Sequence, residues 1–200
     1  MFYWFIRGLF YLPIKLLYPT KIIGKEHLIK GKSILICNHK SNLDAIILGV
    51  NLKHKIHFLG KIELFKTKLS RWFFKKMNVI PVNRGSADLK AIKEVLTILK
   101  QGKTLGIFPS GTRTGEFEVE EHKNGAALFA LKTNAPIVPM LIQKKVRPFR
   151  KNTLIIGQAF NLEEKPNVRL TKEVLLKHTQ IISLKQQELE TLFTKEKGEI

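Results

Sequence analysis

Cysteine is almost missing from this chain: one residue, Cys37, in 200. A single thiol excludes an internal disulfide framework and any cysteine-based metal cluster, and it suits a reducing compartment. Acidic residues are also scarce, 16 Asp plus Glu against 35 Lys plus Arg, for a formal charge of +19. A long uninterrupted apolar run is absent as well. The most apolar stretch, Met1 to Tyr18, is broken by Arg7, Pro13 and Lys15, whereas a spanning helix needs about 20 apolar residues. Nor does it read as a secretory signal, which places its basic residues first and ends in a small-residue cleavage site. What is present is a chain 44% hydrophobic with 13 Phe, too apolar for a disordered polycation. Its length fits one domain with a substantial core.

The charge is uneven. Residues 1–100 hold 19 basic and 5 acidic groups, residues 101–200 hold 16 and 11. A positive field attracts nucleic acid and anionic membranes alike, so the distribution of aromatics has to separate them. Residues 1–18 mix Trp, Tyr and Phe with Arg7 and Lys15, a composition favoured at lipid headgroup level. Residues 53–77 hold eight Lys or Arg, and Phe65, Leu69, Trp72, Phe73 and Met77 follow helical spacing. The first segment and the later part of the second read as amphipathic helices on a membrane surface, or else as helices packed on their own core. No RNP-type string of Gly, Phe and basic residues occurs, so nucleic acid is not expected as a partner.

Elsewhere short apolar runs alternate with helical patterns. Strands are expected at 33–37, 56–60, 79–82, 104–108, 137–142 and 153–156. Leu89, Ile92, Leu96 and Leu99 mark a helix over about 86–100, Gly125 to Leu131 a buried helix, and 171–193 a final one. The predicted fold is α/β: a single domain with a mostly parallel central sheet flanked by helices, plus an N-terminal amphipathic membrane-binding helix. The expected division is an interface anchor at 1–20 and the main domain at 21–200.

Two clusters at strand ends carry chemistry. After the strand at 33–37 comes NHKSNLD, in which His39 and Asp44 stand five residues apart in a turn entering a helix. A carboxylate holding one imidazole nitrogen protonated leaves the other as a base. The same string also spells a Ser41-x-x-Asp44 capping box, in which Asp44 binds backbone amides. After the strand at 104–108 comes FPSGTRTG, whose glycines can turn backbone amides toward an anion while Arg113 adds a planar fork suited to phosphate. It is not a nucleotide P-loop, since Thr112 and Arg113 stand where Lys and Ser or Thr are required. Ser110 does not sit in a Gly-x-Ser-x-Gly elbow. Cys37 ends an apolar run and reads as an inert core residue. His54, His57, His122 and His178 lack ligand spacing, and no metal site is expected.

In sequence order, NHKSNLD at 38–44, GKIELF at 60–65, PVNRG at 81–85, FPSGTR at 108–113 and APIVPM at 135–140 resemble the glycerolipid acyltransferase family, the bacterial 1-acylglycerol-3-phosphate acyltransferases in particular. The likeness spans about residues 20–160. It implies an enzyme making phosphatidic acid, with His39 as general base and Asp44 as its orienting partner. It also implies that Lys61, Arg84, Ser110, Gly111, Thr112 and Arg113 face the acceptor and its phosphate. The donor would be acyl carrier protein or acyl-CoA and the acceptor lysophosphatidate. No cofactor or metal would be needed, and the location would be the cytoplasmic face of the cell membrane, peripheral or monotopic. One departure stands out: Ser110 replaces the Glu of the family's FPEGTR. That leaves glycerol 3-phosphate or another lysophospholipid as alternative acceptors. A non-catalytic basic protein binding nucleic acid or anionic lipid is the alternative outside the family.

Overall fold

Continuous apolar runs such as SILIC can be satisfied only where both faces of a strand are covered. The computed structural model of the chain describes residues 1–83, 88–109, 121–165 and 168–195, and there these runs become the interior of one sheet. Its strands are β1 (Thr20–Ile23), β2 (Ser33–Cys37), β3 (Ile56–Lys61), β4 (Val79–Val82), β5 (Thr104–Ile107), β6 (Ile137–Ile142) and β7 (Asn152–Ile156). They lie in the order β1-β7-β6-β2-β5-β3-β4. All neighbours are parallel except β6 and β7. Every residue of β2 and β6 is buried, as central strands require.

Alternate residues of a strand point to opposite faces, and two layers of helices cover them. The helices described are α1 (Phe2–Leu17), α2 (Leu43–Asn51), α3 (Lys68–Lys76), α4 (Leu89–Lys100), α5 (Glu121–Thr133) and α6 (Lys172–Lys195). Leu35, Cys37, Val138 and Met140 pack with Ile47 and Leu48 of α2, with Leu52 just after it, and with Ile14 of α1. Ile34, Ile36, Leu105 and Ile137 pack on the other face with α4, α5 and Ile182 of α6. Gln186 of α6 is buried and donates its side-chain N–H to the Ile36 carbonyl at 2.7 Å.

The six expected strands all form, within a residue or so of their expected ends. β1 was not anticipated. Its four residues follow Pro19 and pair with β7 alone; a strand so short, at a sheet edge, carries no periodic signal. Since β2 to β6 run parallel, their carboxyl ends share one edge. The chain segments after β2, β3, β4, β5 and β6 all leave there, which is where ligands bind in open α/β sheets.

The N-terminal helix lies across α2. Tyr3 is buried and donates its hydroxyl to the His54 carbonyl at 3.2 Å. Arg7 donates from Nε and Nη2 to the carbonyls of Gly49 and Val50, at 3.0 and 2.9 Å. Phe2 meets Trp72 of α3 edge to face at 4.9 Å between ring centres. The opposite side of α1 is uncovered: Phe5, Leu9, Leu12 and Leu16, a stripe at helical spacing, are all exposed. Leu69 and Trp72 of α3 are exposed too. No helix among the described residues is long and apolar enough to cross a membrane.

Candidate active site

The turn after β2 is built around one buried carboxylate. Asp44 enters at the first turn of α2 and is fully buried. Its Oδ2 accepts from the backbone N–H groups of Lys40 and Ser41, at 2.6 and 2.7 Å. The same oxygen lies 3.0 Å from Nδ1 of His39. So Asp44 binds backbone amides and His39 through one oxygen, while the reciprocal half of the capping box is not formed: the Ser41 hydroxyl accepts from the Leu43 N–H at 3.2 Å. The backbone bonds anchor the carboxylate, which in turn fixes the ring. With Nδ1–H donated to Asp44, Nε2 carries the lone pair, and the His39 side chain is 17% exposed. Such a ring can accept a proton from a hydroxyl placed at Nε2.

The imidazole is held on its face as well. The Phe108 ring lies 4.6 Å from it, tilted by 30°, and Phe58 stacks on Phe108 at 5.8 Å with planes 8° apart. Phe58 comes from β3 and Phe108 directly follows β5. Between them, Gly106 leaves the room this needs: a Cβ there would meet the Phe58 ring at 2.5 Å. Behind the turn, the Asn38 side chain bonds both ways to Ile142 of β6. It donates from Nδ2 to the carbonyl at 2.9 Å and accepts the N–H on Oδ1 at 2.7 Å. Lys40 Nζ donates to the Gln143 carbonyl at 3.0 Å. Asn38 and Phe108 went unassigned in the sequence, although both sit in the quoted motif strings. Phe58 read only as one of the aromatics in the basic 53–77 stretch, because its place behind Phe108 depends on which strands become neighbours.

Lys61 ends β3 at the same sheet edge as His39, with its side chain exposed. Arg84, Ser110, Gly111, Thr112 and Arg113 lie outside the described residues. The segments containing them follow β4 and β5, which end at that edge. Asp88 accepts from the Asn83 N–H at 3.0 Å and caps α4 through Lys90 and Ala91.

Three comparisons bear on this arrangement. The family model described as Acyltransferase matches residues 19–143. The chain is 36% identical over 178 residues to the 1-acyl-sn-glycerol-3-phosphate acyltransferase of Bacillus subtilis (strain 168), covering 86% of this chain and 88% of that protein. It belongs to the acyltransferase family. A probable 1-acyl-sn-glycerol-3-phosphate acyltransferase of Mycoplasma pneumoniae is 34% identical over 134 residues, 60% of this chain and 48% of its own length. Among solved structures, the Thermotoga maritima 1-acyl-sn-glycerophosphate (LPA) acyltransferase, PlsC, shares the fold. Its TM-score is 0.62 at 24% identity, over 86% of this chain and 71% of that one.

Membership of this family directs attention to nucleophiles and bases at the sheet edge, and Cys37 is a poor one. It is fully buried, and burial together with the nearby Asp44 charge pushes its thiol well above the ordinary range. A thiol held protonated is inert. Elsewhere, the buried His178 pairs with Glu164 at 2.8 Å, and the buried His57 bonds the Thr104 carbonyl at 3.2 Å. Both have structural partners of their own. No group of His, Cys, Asp and Glu that could hold a metal occurs among the described residues.

Proposed function

We propose that this protein is a 1-acylglycerol-3-phosphate O-acyltransferase working at a membrane surface. The observation that carries the reading is His39 held through Nδ1 by the buried Asp44, at the carboxyl edge of a parallel sheet. An alcohol is a weak nucleophile at neutral pH, and a positioned base contributes about 10²–10⁴ in rate. His39 Nε2 takes the proton of the free glycerol hydroxyl as its oxygen attacks the thioester carbonyl carbon. The tetrahedral intermediate then collapses, the C–S bond breaks, and the departing thiolate takes the proton from His39. Asp44 holds the ring in the required tautomer and offsets the imidazolium charge between the two steps. Donor and acceptor react directly, with no acyl-enzyme. The donor is acyl carrier protein or acyl-CoA, and the acceptor is lysophosphatidate.

Lys61, Arg84 and the Ser110-Gly111-Thr112-Arg113 segment are assigned to the acceptor phosphate. Arg suits it through its planar fork and the glycine-containing loop through its backbone N–H groups. Residues 1–20 serve as an interfacial anchor to the acyltransferase domain at 21–200. Support for the anchor comes from the exposed Phe5, Leu9, Leu12 and Leu16 stripe and from the excess of basic residues in the N-terminal half of the chain. The protein then sits peripherally on the cytoplasmic face, where its thioester donors are made.

Acyl transfer by the purified protein on liposomes tests the reading, with lysophosphatidate, glycerol 3-phosphate and lysophosphatidylglycerol compared for wild type and His39→Ala. Expected is a preference for lysophosphatidate, with turnover in the variant down on the order of 10³ or more and an unchanged circular dichroism spectrum. Undiminished activity in His39→Ala overturns the mechanism. Preference for another acceptor keeps the mechanism and moves the substrate.

A further inference from the structure

The connection from β6 to β7 is the most basic exposed loop among the described residues. Between Gln143 and Asn152 it carries Lys144, Lys145, Arg147, Arg150 and Lys151, all exposed, and no acidic residue. At its tip Phe149 is 78% exposed and has φ of +55°. A bulky side chain in the left-handed region is strained, and an exposed aromatic gains nothing from burial. Folding therefore supplies no reason for Phe149.

The loop is nevertheless rigidly built. Val146 is buried in the core. Asn152 donates to the carbonyls of Arg147 and Arg150, at 3.3 and 2.9 Å, and accepts the Arg147 N–H at 3.2 Å. That knot leaves the five cations and the phenyl ring outward. Two contacts give the loop its place. The Phe149 N–H donates to the carbonyl of Leu17, the last residue of α1, at 2.6 Å. At its other end, Ile142 and Gln143 are bonded by the side chains of Asn38 and Lys40, which flank His39. The loop thus links the end of the open α1 stripe to the catalytic turn.

We infer that the β6–β7 loop is a second lipid-docking element, in which Phe149 enters the headgroup region and its five cations pair with anionic headgroups, holding the His39 edge against the bilayer. This rests on the membrane reading of α1 given above. An apolar stripe continuing into an aromatic tip ringed by cations is the composition of an interfacial element. An acidic protein partner would account for the cations but would leave the stripe unused.

The full chain is sedimented with vesicles of phosphatidylcholine alone and of phosphatidylcholine with phosphatidylglycerol in equal parts. The variant Lys144→Gln/Lys145→Gln/Arg147→Gln is expected to lose on the order of 10- to 100-fold in affinity for the anionic vesicles, from several charges near the surface. Phe149→Gly is expected to weaken binding while leaving thermal stability equal or higher, since glycine accepts the positive φ without strain. Leu9→Glu/Leu12→Glu separates the two readings. Its loss of binding with both loop variants unaffected overturns the loop inference and leaves the anchor standing. Failure of the wild type to bind either vesicle overturns both. Phe149→Cys carrying an environment-sensitive dye, selective because Cys37 is buried, should respond to anionic vesicles. A response to acyl carrier protein without one to vesicles assigns the loop to the donor instead, and overturns the inference.

Discussion

At the scale of single residues, the candidate site depends on side chains that do no chemistry. His39 can turn about two bonds, and two contacts remove that freedom: Asp44 at Nδ1 and the Phe108 ring against its face. Phe108 is backed by Phe58, whose ring lies over Gly106. Gly106→Ala should therefore act twice. The added methyl meets the Phe58 ring, with overpacking worth about 1–3 kcal/mol, and the displaced ring loosens the stack on His39. The expected result is a lowered urea midpoint and a fall in kcat larger than the change in KM, read from unfolding curves and steady-state assays. His39 and Asp44 were legible because their spacing is local. The ring stack was not, because Phe58 and Phe108 are fifty residues apart and meet only when β3 pairs with β5.

Among elements, α1 shows how a residue's task can differ from what its composition suggests. Arg7 in an aromatic segment suggests a side chain reaching for lipid headgroups. In the structure it turns inward and satisfies two carbonyls at the C-terminal end of α2, where orphan acceptors and the helix dipole favour a cation. Arg7→Ala should cost about 1–3 kcal/mol, the range for hydrogen bonds to a charged group, and should expose the α1–α2 junction to protease. Urea unfolding and limited proteolysis measure the two effects, and Arg7→Lys should recover only part of the loss because it lacks the fork. The apolar and aromatic character of α1 was legible in its composition; the exposed stripe of Phe5, Leu9, Leu12 and Leu16 came only from the structure, since both faces of α1 are rich in apolar residues.

For the whole molecule, burial sets the response to acid. The imidazole of His57 is held below its ordinary pKa of about 6.5, chiefly because burial disfavours the charged form. His54 shifts the same way, by partial burial and then by the nearby Lys30. On acidification the unfolded chain takes up these protons first, so the folded state is favoured above about pH 6.5 and loses that advantage as pH falls below it. Urea unfolding at a series of pH values should show stability declining from pH 7 to pH 5, and His57→Gln should flatten the decline. The +19 charge acts in the same direction, since self-repulsion grows as carboxylates are protonated.

The chain by itself determined the α/β class, six of the seven strands, the helices between them and the His39–Asp44 spacing. All of these rest on local periodicity or on residues a few positions apart, which the backbone must bring together. The tertiary structure decided the rest. Insertion of β7 between β1 and β6 made an edge strand of four residues that no pattern announces. The pairing of β2 with β6 tied Asn38 and Lys40 to the start of the β6–β7 loop, and the fold of α1 across α2 brought Leu17 to Phe149. Such contacts join residues far apart in sequence, and only the register of the sheet and the packing of helices on it select them from the many that composition permits.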